Sequence, residues 1–152
     1  MPDSNKNTRP RKKTQAPIDT SYGHLQPQAT DIEKAVLGAL MIDKDAFTVI
    51  SETIRPETFY EPRNQKIYKA IQTLNMEEKP VDIMTVTEEL KHEGTLEDVG
   101  GPGYIVELSG LVASSASIVY HAHILQQKFL ARQLIQFASM TETEAFDQTV
   151  DF

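Results

Sequence analysis

From residue 30 onward, apolar side chains recur every three or four residues, the period of a helix with one buried face. In the first such segment Ile32, Val36, Ala39 and Leu40 share a face. Thr30 and Glu33 stand as T-x-x-E ahead of it, which predicts a capping box in which each side chain satisfies a free amide of the first turn. Gly38 lies inside this helix, where glycine costs about 1 kcal/mol relative to alanine, so another backbone is expected to pack closely there. Asp43 is placed to cap a second helix whose stripe is Phe47, Ile50 and Ile54, ended by Arg55-Pro56 because a residue before proline is pushed out of the helical region. Phe59 and Tyr60 are read as core anchors on the following connection.

Pro62 suits the first turn of a third helix, where its missing N–H is no loss, and Ile67, Ala70, Ile71 and Leu74 carry that helix inward. Asp82 starts a fourth, with Ile83, Val86 and Leu90 buried and Gly94 as the residue after its end. The glycine-rich stretch 100–103 is expected to be a turn, followed by a short fifth helix carrying Tyr104, Ile105 and Leu108 and stopping at Gly110. The Ser114, Ser115 and Ser117 hydroxyls predict the start of a further helix.

That last helix differs in kind. Residues 117–140 contain neither glycine nor proline, which predicts a rod of roughly 36 Å at 1.5 Å per residue. Ile118, Ala122, Leu125 and Phe129 form one apolar line; Leu130, Leu134, Phe137 and Ala138 form another. One line can pack on the preceding body. The second needs a different partner, because so wide a stripe is not expected to face water. Residues 141–152 are read as a turn and the opening of a partner helix. The fold class that follows is all-α: a compact bundle of about five short helices and one long C-terminal helix that begins a helical hairpin. Three regions are expected: a disordered basic leader over 1–28, a globular helical body over 29–113, and the long helix with the start of a truncated hairpin over 114–152.

Charge sharpens the division. The net charge of −7 conceals a leader with five basic and two acidic residues ahead of a remainder with ten basic and twenty acidic ones. The leader is too polar to offset the entropy of ordering. The acidic remainder repels phosphate backbones, since duplex affinity comes mainly from Lys and Arg, so no direct nucleic-acid binding is expected of the folded body. No apolar run is long enough to span a membrane, and the basic N-terminus lacks the apolar stretch of a secretory signal. The absence of cysteine removes disulfides and thiolate chemistry and fits a cytoplasmic location.

Candidate chemistry is scarce. The glycines at 100–103 lack the Lys-Ser or Lys-Thr of a nucleotide loop. His121 and His123 point to nearly opposite sides of a helix and cannot share a metal. Glu89 and His92 have the spacing of one half of a di-iron site, but the second pair and two further glutamates are missing. No catalytic, cofactor-binding or metal-binding residues are therefore assigned, and protein–protein interaction is favoured over catalysis.

Four blocks, in order, carry a family resemblance: ATDIEKAVLGALMID at 29–43, FYEPRNQKIYKAI at 59–71, PVDIMTVTEELKHEGTLEDVGGPGYIVELSG at 80–110 and YHAHILQQKFLARQLI at 120–135. The sequence resembles the N-terminal domain of the DnaB family of bacterial replicative DNA helicases. That resemblance implies a collar domain of a hexameric, ATP- and Mg2+-dependent DNA-unwinding ring, with the motor in a C-terminal RecA-like domain absent from these residues. It implies dimerisation through a helical hairpin, a trimer of dimers in the hexamer, docking of primase, and action of a helicase loader. On this reading Ile118, Ala122, Leu125, Phe129, Leu130, Leu134 and Phe137 line the self-association face, and Phe152 falls inside the second hairpin arm. Two other readings are a helical nucleic-acid-binding module that uses the basic leader and a small helical enzyme; the latter has no residue constellation behind it.

Overall fold

The computed structural model describes residues 25–147, 149 and 151; the leader predicted over 1–28 lies outside it except for its last four residues. The described residues form α1 (Thr30–Ile42), α2 (Ala46–Ile50), a 3-10 turn (Pro56–Thr58), α3 (Pro62–Met76), α4 (Ile83–His92), α5 (Gly101–Gly110) and α6 (Ile118–Phe146). The architecture is all-helical, five short helices and one long one. Helix α1 is the hub, packed on by α2, α3, α5 and α6, while α4 lies on α3 and α5.

The apolar pattern explains this arrangement. Val36, Leu37, Ala39, Leu40 and Met41 are all buried, so α1 hides more than one face. Gly38 permits it: a Cβ there would collide with the Leu108 carbonyl oxygen of α5, so the two helices meet backbone to backbone. Most core anchors expected from the sequence are buried, namely Val36, Leu40, Ile50, Phe59, Ile67, Ile71, Leu74, Val86, Leu90, Tyr104 and Leu108. Ile32, Phe47 and Tyr60 are only partly buried, because each sits at the rim of the core. Tyr68, not singled out by spacing, is its largest fully buried side chain. Its ring lies 5.2 Å from Phe59 and 6.0 Å from Phe47, and its hydroxyl donates to the Ile54 carbonyl at 3.0 Å. Burial pushes the pKa of that hydroxyl up to about 12.

Several local expectations hold. Pro62 opens α3. Asp82 accepts from the Met84 and Thr85 amides, and Thr85 returns the bond to the Asp82 amide. Gly94, at φ +73°, ends α4 with the paired bonds Gly94 N–H to Lys91 O and Thr95 N–H to Leu90 O.

Others do not. Thr30 and Glu33 make no capping box: the cap position is Ala29, without a side-chain bond. Glu33 is instead buried, and its carboxylate accepts from the Tyr60 amide (2.7 Å), the Glu61 amide (3.3 Å) and the Asn64 side chain (3.0 Å). Asn64 in turn accepts from the Tyr104 hydroxyl at 2.7 Å, joining α1, α3 and α5 through one polar network. The second helix stops at Ile50, so Ile54 is buried from a turn beyond it. Asp43 accepts from the Asp45 amide at 2.9 Å but is not the cap of α2, because the helix begins only at Ala46 and Asp45 holds the cap position; the other Asp43 oxygen accepts from Ser115. The glycine stretch is not wholly a turn, since α5 already begins at Gly101. Finally, α6 continues unbroken to Phe146, where a turn was expected from residue 141.

Candidate interaction surface on the long helix

Helix α6 leaves a connection in which Ser115 is tied to Asp43 and the Ser114 hydroxyl accepts from the Ala116 amide at 3.1 Å. Ser117 occupies the cap position without a side-chain bond, so the serines order the connection and do not cap the helix. At 1.5 Å per residue α6 is roughly 43 Å long, longer than any helix it rests on.

The structure divides the seven residues expected on the self-association face. Ile118, Ala122 and Leu125 are buried against the body and belong to this chain's own core. Phe129 is half-buried where the body ends. Leu130, Leu134 and Phe137 are exposed at 58%, 68% and 68%. Their spacing of four and three residues puts them on one face. At 3.6 residues per turn that face is roughly 120° around the helix from the buried line. Met140 is exposed between this face and the buried line, while Ile135 and Phe146 are exposed on the far side of the helix. Large apolar residues grouped as Leu130, Leu134 and Phe137 are, and not scattered singly, make their face a candidate interaction surface.

Between the buried and exposed parts stands Arg132, which spacing alone did not single out. One terminal nitrogen donates to the Pro27 carbonyl and the other to the Thr58 carbonyl, each at 2.8 Å. The guanidinium also lies 5.5 Å from the centre of the Tyr60 ring and 5.7 Å from that of Phe129. Desolvation lowers its pKa, with Glu33 and Tyr60 opposing; an arginine nevertheless stays charged in a protein. A signal was present in the sequence, a lone arginine between two apolar lines, but its acceptors are backbone atoms that no side-chain pattern reveals.

No group of three His, Cys, Asp or Glu side chains able to hold a metal occurs among the described residues. Glu89 and His92 line an open hollow between α3 and α4 together with Leu74, Glu77 and Lys79, and Glu77 there is already paired with Lys79. Among the described residues no helix is long and apolar enough to cross a membrane.

Comparison with known proteins agrees with this geometry. Residues 25–127 match the model of the DnaB-like helicase N terminal domain. The chain is 39% identical over 143 residues to the replicative DNA helicase DnaB of Rhodothermus marinus, covering 92% of this chain and 15% of that protein. It is 38% identical over 128 residues to the replicative DNA helicase DnaC of Bacillus subtilis (strain 168), covering 84% of this chain and 28% of that protein. It thus spans less than a third of either relative. The fold is similar to the crystal structure of the N-terminal domain of DnaB helicase from Mycobacterium tuberculosis, with a TM-score of 0.80 and 32% identity over 84% of this chain and 90% of that one. Sequence match and fold point the same way: the chain belongs to the DnaB-like helicase N-terminal domain family.

Proposed function

We propose that this chain is the collar domain of a hexameric replicative helicase, and that its work is to hold proteins together. Two chains pair through α6, and three such pairs make the collar. The collar docks primase during bacterial DNA replication, and a helicase loader acts on the same assembly. ATP and Mg2+ belong to the motor of the parent protein, which works in the cytoplasm. The observation that carries this reading is the exposed apolar face of Leu130, Leu134 and Phe137, set on a helix that outruns its own body. The acidic excess over residues 29–152 supports a surface for proteins over one for phosphate backbones.

The test is light scattering on the chain across a concentration series, with Leu134→Glu and Phe137→Glu combined as the variant. Both positions are exposed, so folding stability is expected to change by no more than about 0.5 kcal/mol. Self-association is expected to weaken at least about tenfold, or roughly 1.4 kcal/mol. A parent chain that stays monomeric at high concentration, or a variant that associates as well as the parent, rules the pairing out. Titration of labelled primase with the assembled collar tests the docking separately.

A further inference from the structure

Helix α6 is fixed to the body in two different ways. Its first two turns are held by the buried side chains Ile118, Ala122 and Leu125. After Leu125 no described residue of α6 is fully buried. In that part of the helix Arg132 makes the only side-chain hydrogen bonds to another element among the described residues. The acceptors are well separated in sequence: Pro27 lies ahead of α1, and Thr58 is the last residue of the 3-10 turn. Both are neutral carbonyls. Charge-assisted bonds of this kind are stronger than neutral ones, and the one buried charge that acts on the guanidinium, the Glu33 carboxylate, keeps three hydrogen bonds of its own if they open. Water could replace the guanidinium at either carbonyl.

We infer that Arg132 is a releasable clamp that sets the angle at which α6 leaves the body, with Leu125 as the pivot. It is a positioning residue: it fixes the direction in which the exposed face points, whatever covers that face, so the inference is independent of the collar assignment. The planar fork is essential, because one guanidinium reaches two carbonyls at once, whereas a lysine ammonium is a single point on a flexible stem. With the clamp open, the buried line still anchors the helix at its start and the body keeps its core.

The test uses the full chain, which contains no cysteine, so two introduced thiols can be spin-labelled without background. Lys69→Cys on α3 and Gln133→Cys, next to Arg132 on α6, are both exposed positions, and labelled chain is diluted into unlabelled chain so that only distances within one molecule are read. In Arg132→Met the distance distribution is expected to broaden about twofold, with helix content and the thermal midpoint close to those of the parent. A distribution as narrow as the parent's overturns the proposal. Should Arg132→Met fail to fold, Arg132→Lys decides: a folded variant with a broadened distribution supports the clamp, and a folded variant with an unchanged one overturns it. Loss of helix content in both variants would make Arg132 part of the core's stability and would also overturn it.

Discussion

At the scale of single residues, the most consequential placement is a carboxylate inside the fold. Glu33 is buried but not stranded, since it accepts three hydrogen bonds from the segment that opens α3. Removing it would leave the fully buried Asn64 amide without that acceptor and expose two backbone donors to poor alternatives. Unmatched buried donors cost roughly 1–3 kcal/mol each, so Glu33→Ala is expected to destabilise the chain by about 3 kcal/mol in urea unfolding. Glu33→Gln, which keeps the shape but turns one acceptor into a donor, should fall between. An alanine variant within about 0.5 kcal/mol of the parent would mean that water takes over the site. This role was not legible in the sequence. T-x-x-E ahead of an apolar run is a local signature, and the local rule lost here to partners some thirty residues away. Gly38 was legible, because a glycine inside a strong helical pattern needs a reason, and the reason is the Leu108 carbonyl.

At the scale of elements, what could be read was what neighbouring residues decide. Pro62, Asp82 and Gly94 each act within a turn or two of their own position, and each does what its chemistry predicts. What could not be read was where a stripe stops being helical. Ile54 has the right spacing after Phe47 and Ile50, yet burial requires only that the side chain point inward, and a turn does this as well as a helix. The long helix posed the same difficulty: periodicity found both of its apolar lines, but only the body shows that Leu125 is covered and Leu134 is not. The C-terminus of α3 offers a direct test of local chemistry. Glu78 takes φ +57° while Lys79 N–H bonds Leu74 O and Glu78 N–H bonds Asn75 O. This is the geometry that glycine serves at the end of α4. Glu78→Gly is therefore expected to stabilise the chain by about 0.5–1 kcal/mol, read as a higher urea midpoint with unchanged slope. A lower midpoint would show that the glutamate side chain contributes more than its backbone strain removes.

At the scale of the whole molecule, the fold combines a well-packed body with a helix that outreaches it. Most helical stability in proteins comes from packing, so residues 133–146, which continue α6 but are exposed throughout, are held less firmly in a single chain than the turns that rest on the body. Hydrogen exchange is expected to grade along α6: slow through 121–129, fast beyond Arg132 in dilute solution, and slower there as concentration rises. Equal protection along the entire helix at high dilution would mean that its tip needs no partner. The same view places α1 at the centre, covered by α5, which meets it at Gly38, and by α6. Its covers are the last parts of the body to be synthesised. A ribosome making this chain from its N-terminus therefore releases the central helix well before its shelter, so the nascent polypeptide must wait, unfinished and adhesive, until Leu108 and Leu125 have emerged.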